Sequence, residues 1–308
     1  MKKILVTGGG GYIGTTLVPL LLSKGYDVTV YDNLMYGGEF MLSFANHLNL
    51  KLIIGDVTNH EKINSILNDF DIVIHLAAIV GYSACRKDEE LAYKVNHLAT
   101  KNIAENVSDD TLLLFGSTGS NYGSVDGICT EETPTNPLSI YAKSKEMGEK
   151  EVLKRKNFIA YRFATAFGAS PRMRLDLLAN EFTYLACTQK YLVVYESHFM
   201  RTFIHVKDMA RSFLFGIENS DKMRGNLYNV GSNNMNYSKK DICDIIDDKT
   251  EVYLHYADYD GDADKRNYVV SYDKIHSLGF NTTIKLEEGI DEIIKIHKLV
   301  EFKSKFRN

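Results

Sequence analysis

A run of glycines directly after the first apolar segment limits what the start of this chain can fold into. Residues 3–8 (KILVTG) have the composition of a buried strand, and residues 12–24 have the apolar spacing of a helix. Between them the chain has consecutive glycines from Gly8 to Gly11. A strand, a glycine turn and a helix in this order place backbone N–H groups and a helix N-terminus where they can bind phosphate. The sequence therefore predicts a dinucleotide site at this turn.

The glycine spacing and the next predicted strand indicate which dinucleotide is bound. Gly8, Gly11 and Gly14 follow a G-x-x-G-x-x-G pattern, although the neighbouring glycines allow other registers. Asp32 ends the strand predicted at 27–32, where a carboxylate can bind the hydroxyls of an adenosine ribose. The same carboxylate repels a 2′-phosphate, and the six residues that follow it contain no Arg or Lys. These features favour NAD over NADP.

Apolar segments alternate with amphipathic ones throughout the first half of the chain. Segments rich in Val, Ile and Leu, with the length of buried strands, lie at 3–8, 27–32, 50–54, 71–76, 111–115 and 158–163. Segments with helical spacing lie at 12–24, 60–68, 90–106 and 139–155. This alternation predicts an α/β fold with a Rossmann-type doubly wound parallel sheet, whose carboxyl strand ends form the ligand-binding edge.

The pattern changes after residue 165, where polar segments separate shorter helices. We therefore expect an NAD-binding domain at 1–165 and a smaller mixed C-terminal lobe at 166–308 that binds the substrate. The lobe is expected to return to the main sheet near 204–218 and 226–230. With four prolines in the whole chain and no Gly/Ser tract, a flexible tether between the two parts is not predicted.

Composition argues against several classes of function. The formal net charge of −4 does not suit a protein that neutralises nucleic-acid phosphates. No segment approaches the roughly 18 apolar residues of a membrane span, and the first apolar run stops at Thr7, too early for an export signal. The four cysteines are too far apart for a metal-ligand pattern. We expect a cytoplasmic protein without a metal site.

A tyrosine and a lysine stand four residues apart in the helix predicted at 139–155. This spacing places the side chains of Tyr141 and Lys145 on one helix face. A tyrosine with a pKa of about 10 is a poor base at neutral pH, but a nearby ammonium lowers that pKa by favouring the phenolate. A phenolate can take a proton from a substrate hydroxyl while hydride leaves the same carbon. The pair predicts an oxidoreductase that acts on an alcohol carbon.

A polar segment follows the fifth predicted strand, at the edge of the sheet where the reacting carbon should lie. Residues 115–123 have the sequence FGSTGSNYG. Either Ser117 or Thr118 can hydrogen-bond the substrate oxygen and hold it for Tyr141, and the sequence leaves both open. Asp56 and Val57 follow the third predicted strand and can meet the adenine edge.

Together these motifs resemble the extended short-chain dehydrogenase/reductase family, whose members act on nucleotide sugars. The resemblance covers the whole chain and includes HLAA at 75–78, RTFIHVKD at 201–208 and YNVG at 228–231. It implies a catalytic triad of Thr118, Tyr141 and Lys145, and a homo-oligomer that is a dimer or a tetramer. The cofactor contacts expected from motifs and resemblance together are Gly8, Gly11, Tyr12, Ile13, Gly14, Asp32, Asn33, Asp56, Val57, Leu76, Ala77, Ala78, Asn96, Tyr141 and Lys145.

A narrower likeness lies in residues 165–180 (TAFGASPRMRLDLLAN) and in the segment HFMR at 198–201. Both are similar to a branch that includes the GDP-heptose C4 dehydrogenases of bacterial capsule synthesis. That likeness implies oxidation at C4 of a GDP-sugar, with 2-oxoglutarate as a second oxidant that regenerates NAD. Epimerases need the same triad, so a nucleotide-sugar 4-epimerase is an alternative. A non-catalytic NAD or nucleotide-sugar sensor on the same fold is a second alternative.

The expected substrate contacts include several arginines, because the planar guanidinium group suits the oxygens of a diphosphate. The predicted set is Ser117, Thr118, Arg172, Arg174, Asn180, Arg201 and Arg266. In the family's dehydratases an Asp-Glu pair directly follows the catalytic Thr, whereas Gly119 and Ser120 stand at these positions here. The resemblance therefore disfavours dehydration.

Overall fold

The computed structural model describes residues 1–257 and 266–299. The β-strands are β1 Lys3–Thr7, β2 Asp27–Asp32, β3 Leu50–Ile54, β4 Ile72–His75, β5 Leu112–Thr118, β6 Ser124–Cys129, β7 Phe158–Phe163, β8 Thr165–Phe167, β9 Tyr191–Tyr195, β10 Met200–His205, β11 Asn226–Val230, β12 Asn236–Ser238, β13 Tyr253–Ala257 and β14 Asn267–Val270. The α-helices are α1 Gly14–Ser23, α2 His60–Asn64, α3 Tyr82–Lys87, α4 Glu89–Tyr93, α5 Thr100–Asn106, α6 Ile140–Val152, α7 Leu178–Gln189, α8 Val206–Glu218, α9 Ser220–Met223, α10 Lys239–Thr250, α11 Asp273–His276 and α12 Leu286–His297. A π-helical segment, Lys94–Ala99, joins α4 to α5.

Seven of these strands form one parallel sheet in the order β11-β7-β5-β4-β1-β2-β3. Val6 in β1 pairs with Val30 of β2 and Ile74 of β4, and all three side chains are buried. Such apolar strands are typical of a parallel sheet that is covered on both faces. The strand order reverses between β1 and β4, so a ligand is expected in the crevice at the carboxyl ends of these two strands. The predicted doubly wound sheet is confirmed.

Helices cover both faces of the sheet. On one face α1 packs against α8, and Leu17 and Phe213 share a buried cluster with Val6. On the other face Ile103 of α5 and Val152 of α6 belong to a second buried cluster. Each such side chain stabilises the fold by about 1.5–3 kcal/mol when it is fully buried. Within residues 1–257 and 266–299, the structure shows no helix with the length and apolar character needed to cross a membrane.

The C-terminal half builds small sheets of its own beside the main one. β10 pairs with β8 and β12 in a three-stranded sheet, β13 pairs with β9, and β14 pairs with β6. The return to the main sheet expected at 204–218 is therefore wrong for its strand, because β11 already occupies the edge next to β7; only α8 packs onto the large domain. Strand β11, at 226–230, pairs with β7 at the edge of the main sheet. Residues 258–265 and 300–308 of the predicted lobe lie outside the described residues, and the boundary at 165 stays a prediction.

A carboxylate on α12 ties the turn after β8 to the start of α8. Glu292 Oε2 accepts a hydrogen bond from the backbone N–H of Ala169 at 3.1 Å and lies 2.9 Å from His205 Nε2. Glu292 Oε1 lies 2.5 Å from Lys207 Nζ. Burial favours the neutral acid, but these partners together outweigh burial and lower the pKa of Glu292 to about 2.

We expect Glu292→Gln to lower the free energy of unfolding by about 1–3 kcal/mol at pH 7, since three donors lose their carboxylate. The pKa is lower in the folded chain than in the unfolded one, so this stabilisation is present above the unfolded pKa and is lost as pH falls toward 2. Urea unfolding at pH 7 and pH 3.5 should show a smaller difference between variant and wild type at the lower pH. Asp291→Asn, which removes an exposed partner of Lys249, is the control and should change stability by well under 1 kcal/mol. An equal difference at both pH values would contradict this role of Glu292.

Candidate active site

The glycine turn after β1 has a shape that side chains would block. Gly8 has a φ of +73°, and a Cβ atom added there would lie 2.6 Å from the backbone nitrogen of Ala77. A Cβ atom on Gly14, the first residue of α1, would lie 2.5 Å from the carbonyl oxygen of Gly9. Both positions need glycine because backbone approaches backbone there. The turn and the N-terminus of α1 line the cavity, where free N–H groups can bind phosphate.

A cavity of about 610 Å³ lies at the carboxyl edge of the main sheet and brings together predicted residues from both halves of the chain. The predicted site residues that line it are Gly8, Gly11, Tyr12, Ile13, Gly14, Asp32, Asn33, Asp56, Val57, Leu76, Ala77, Ala78, Ser117, Thr118, Tyr141, Lys145, Arg172, Arg174, Arg201 and Arg266. Two other predicted residues, Asn96 and Asn180, do not line it.

These two asparagines hold loops of the cavity instead of facing a ligand. The side chain of Asn96, predicted at the cofactor, bonds both the backbone N–H and the carbonyl oxygen of Ile79, each at 2.8 Å. Asn180, predicted at the substrate, accepts from the N–H of Gly168 and donates to the carbonyl oxygen of Arg174, each at 2.9 Å. Both side chains are fully buried and use their amides in these contacts. Their assignment to ligand binding is corrected to a supporting role.

The predicted adenosine end contains two aspartates held by hydrogen-bond donors. Asp32 accepts from the backbone N–H groups of Gly10, at 2.9 Å, and Leu34, at 2.7 Å. Burial raises the pKa of Asp32, and these two N–H groups offset only part of that effect. Asp56 accepts a hydrogen bond from Asn33 Nδ2 at 3.0 Å, which fixes both side chains in the cavity wall.

Arg172 reaches this part of the cavity from the C-terminal half of the chain. Its guanidinium carbon lies 3.9 Å from the ring centre of Tyr36, which is a cation–π contact. Tyr36 belongs to the segment after Asp32 that has no basic residue of its own. The sequence placed Arg172 at the substrate and missed Tyr36, because no local pattern reports a contact between residues so far apart in the chain.

His75 at the end of β4 is held in a directional chain of hydrogen bonds. Thr100 Oγ1 donates to the carbonyl oxygen of Asn96 at 2.9 Å, so it accepts from His75 Nε2 at 3.0 Å. His75 Nδ1 is then the acceptor of the Thr7 hydroxyl at 2.7 Å, and Thr7 accepts the backbone N–H of Ala77 at 3.4 Å. Burial lowers the pKa of His75 to about 3, with a smaller contribution from the Lys145 charge, so the ring is neutral. This chain of hydrogen bonds holds the loop that carries Ala77 beside the cavity.

The predicted catalytic pair lies in the first turns of α6. Ser139 caps this helix by accepting the N–H of Ala142 at 3.1 Å, which places Tyr141 in the first turn and Lys145 one turn later. Both residues line the cavity, as predicted. The Lys145 ammonium nitrogen lies 4.1 Å from the ring centre of Phe115 and is buried.

The ionisation of this pair differs from the prediction. Burial raises the pKa of Tyr141, and the side chains that partly offset it are Thr118, Arg174 and Arg266. Burial also lowers the pKa of Lys145 to about 7. The expectation that Lys145 makes Tyr141 acidic is therefore corrected: removal from water disfavours the charged forms of both groups, and arginines supply the opposing charge.

The two hydroxyls that the sequence left open differ in their partners. Ser117 Oγ donates a hydrogen bond to Glu149 Oε2 at 2.5 Å. Thr118 Oγ1 accepts the N–H of Ser120 at 3.1 Å and lies within hydrogen-bonding reach of Tyr141. Thr118 is thus the hydroxyl next to the predicted base, whereas Ser117 is bonded to Glu149 and its contact with a substrate stays a prediction.

The arginines of the cavity differ in their partners. Arg174 forms a two-point ion pair with Asp176, with Nε 3.2 Å from Oδ1 and Nη2 2.5 Å from Oδ2. Arg201 donates to the carbonyl oxygen of Arg266, and Arg266 donates to Ser120 Oγ beside Thr118. These arginines therefore approach Thr118 and Ser120 from the C-terminal half of the chain.

Several cavity residues carry no sequence signal of their own. Gly81, Asp176 and Tyr268 line the cavity because loops from distant parts of the chain meet there. Ser139 could have been found, since a serine just before a predicted helix indicates an N-cap.

Comparison with known proteins agrees with this geometry. The sequence profile of the NAD dependent epimerase/dehydratase family matches residues 4–231. The chain belongs to the NAD-dependent epimerase/dehydratase family. The glycine turn without room for a Cβ atom, Asp32 and the open N-terminus of α1 fit the phosphates and ribose of the cofactor, and the prediction of NAD is confirmed.

Relatives in the epimerase/dehydratase family cover almost the whole chain. A Methanocaldococcus jannaschii protein with the provisional name UDP-glucose 4-epimerase is 29% identical over 94% of this chain and 97% of its own. The UDP-glucose 4-epimerase of Corynebacterium glutamicum is 27% identical over 80% of each chain. The solved UDP-glucuronic acid 4-epimerase from Bacillus cereus, in complex with UDP-glucuronic acid and NAD, has a TM-score of 0.85 at 24% identity and covers 97% of this chain and 100% of that one. The last comparison supports the fold.

Proposed function

We propose that this enzyme is a nucleotide-sugar 4-epimerase, which oxidises C4 of the sugar and reduces it again from the opposite face. The observation that carries the proposal is the placement of Thr118, Tyr141 and Lys145 in one cavity with the glycine turn and the arginines. The relatives named above as 4-epimerases support C4 as the carbon that is oxidised and reduced.

The roles of the chain's own residues follow from their positions. When bound, NAD supplies the acceptor and donor of hydride. Thr118 holds the C4 hydroxyl, and Tyr141 accepts its proton and later returns one. Arg174 and Arg266 favour the Tyr141 phenolate against the effect of burial. Lys145 adds positive charge at the same wall of the cavity when it is protonated.

The substrate is expected to be a nucleoside diphosphate sugar. Arg201 and Arg266 line the cavity side by side, and guanidinium groups suit diphosphate oxygens. The relatives and solved neighbours named above act on or bind UDP-sugars, whereas the likeness of residues 165–180 favours a GDP-sugar. The nucleobase of the substrate, uracil or guanine, therefore distinguishes these two possibilities. Assembly as a homo-oligomer and a cytoplasmic location stay predictions.

A GDP-heptose 4-dehydrogenase of capsule synthesis is the second candidate. It would stop at the ketone and pass the electrons to a second oxidant such as 2-oxoglutarate. The specific observation in its favour is that Arg172 and Arg174, from the segment that resembles this branch, both line the cavity. Dehydration is disfavoured because Gly119 and Ser120 follow Thr118, and Ser120 is engaged with Arg266.

Product analysis separates these chemistries. The purified enzyme is incubated with UDP-glucose, GDP-mannose, a GDP-heptose and dTDP-glucose, with and without 2-oxoglutarate, and the products are analysed by mass spectrometry and NMR. We expect a product of unchanged mass with inverted C4. A product that has lost two hydrogens in the presence of 2-oxoglutarate would support the dehydrogenase, and loss of one water would support a dehydratase. No conversion of any sugar despite bound NAD would support a sensor.

A further inference from the structure

A buried ion pair lies next to the turn that carries Thr118, and the chemistry described so far gives this pair no role. Glu149 on α6 and Arg162 on β7 are both nearly inaccessible to solvent. Arg162 Nη2 lies 2.6 Å from Glu149 Oε1, and Arg162 Nε lies 3.1 Å from Glu149 Oε2. Charges so far from water persist only where each has a close partner.

The pair holds the residues on both sides of Thr118. Glu149 Oε2 accepts the Ser117 hydroxyl at 2.5 Å and the Asn121 side-chain amide at 3.2 Å. Arg162 Nη1 donates to the hydroxyl of Tyr122 at 3.1 Å. The turn that carries Thr118 is therefore fixed from below by one carboxylate and one guanidinium group.

Glu149 also belongs to the helix face of the catalytic pair. Tyr141, Lys145 and Glu149 follow one another at four-residue steps along α6, so their side chains lie on one face. The carboxylate acts on Lys145 in the direction that favours the ammonium.

The other groups around Lys145 carry no opposing charge. Phe115 contributes a ring 4.1 Å away from β5. His75 on β4 is neutral, and burial raises the pKa of the Cys85 thiol on α3 to about 11. Burial raises the pKa of Tyr141 as well. Among the groups in the described part of the chain that act on Lys145, Glu149 is thus the carboxylate that favours the ammonium.

We propose that Glu149 is a positioning residue for the reaction, which holds Thr118 in place through Ser117 and keeps Lys145 protonated. The proposal rests on the proposed function, in which Thr118 and Lys145 serve the Tyr141 proton transfer. It gives a role to a carboxylate at a buried position, where an apolar side chain would pack without the need to compensate a charge.

The decisive measurement is the titration of Lys145, followed by 13C NMR of lysine-labelled protein saturated with NAD. Lys145→Met identifies the signal. In Glu149→Gln we expect the Lys145 midpoint to move to lower pH and kcat, on the panel sugar that the wild type converts, to fall about 100-fold as Thr118 loses its support. In Ser117→Ala the carboxylate remains, so kcat should fall while the midpoint stays where it is in the wild type.

A double variant separates this role from a merely structural one. Glu149→Gln leaves the Arg162 charge buried without its partner, and that cation could itself disturb Lys145 or the fold. Glu149→Leu combined with Arg162→Met removes both charges, and we expect it to fold and still show the lowered midpoint. A wild-type midpoint in the double variant, or a shift in Ser117→Ala as large as that in Glu149→Gln, would overturn the proposal. The titration needs no turnover, so it also stands apart from a failure of the proposed function.

Discussion

Tyr141→Phe is expected to lower kcat by about 10²- to 10⁴-fold, the usual contribution of general acid–base catalysis, while NAD binding and folding stay intact. The phenol oxygen is the proposed proton acceptor next to Thr118, and phenylalanine keeps the ring at the start of α6. The glycine turn and Asp32 are untouched by the change. The bound NAD of the variant should therefore remain oxidised when the sugar is added.

The measurement has two parts on the same purified samples. NAD content is determined after denaturation, and reduction of bound NAD is followed by absorbance after addition of the sugar converted by the wild type. Tyr93→Phe is the control, because it removes a phenol from α4 that is partly exposed and outside the cavity. It should behave as the wild type in both assays. Normal turnover in Tyr141→Phe would remove the proposed proton transfer.

Gly8→Ala is expected to abolish stable NAD binding, with affinity reduced by at least about 100-fold, the effect of a loss near 3 kcal/mol. The added Cβ atom would lie 2.6 Å from the Ala77 nitrogen, at a φ of +73° that is unfavourable for alanine. Ala77 cannot move freely to make room, because its backbone N–H donates to the Thr7 hydroxyl in the hydrogen-bond chain around His75. The turn must therefore shift away from the phosphate position.

Gly25→Ala is a matched control for backbone strain. Gly25 has a φ of +82°, but no atom of the described residues lies within 4 Å of a Cβ atom added there, and it is not among the residues that line the cavity. We expect about 1 kcal/mol of destabilisation from the unfavourable φ and unchanged NAD affinity by calorimetry. If Gly8→Ala bound NAD as tightly as Gly25→Ala, the glycine turn would not be the site that binds the cofactor phosphates.

Local patterns in the sequence predicted the main sheet because its strands are rich in Val, Ile and Leu and alternate with segments of helical spacing. The glycine turn, Asp32 and the Tyr141–Lys145 spacing could be found for the same reason, since each depends on neighbours within one turn or one strand. The small sheets depend on pairing between distant segments, which is why the sequence does not reveal that β10 pairs with β8 and β12. The Arg172–Tyr36 contact and the bond from Ser117 to Glu149 are likewise long-range.

The direction of the Tyr141 pKa could not be predicted from residue spacing. Spacing shows that an ammonium and a phenol can be close, but it does not show how much water surrounds them. Lys145 is buried and Tyr141 is partly buried, so the cost of charging these groups exceeds the attraction that the spacing suggested.

The hydrogen-bond chain around His75 bears on how protons leave the catalytic centre. Each donor in it points the same way, and the last one, from Thr100, ends on the peptide carbonyl oxygen of Asn96, which cannot take up a proton at ordinary pH. These hydrogen bonds can therefore hold the wall of the cavity in place, but they cannot conduct a proton. In the proposed reaction, we therefore expect the proton from the C4 hydroxyl to stay at Tyr141 or to exchange at the mouth of the cavity rather than to pass along this chain.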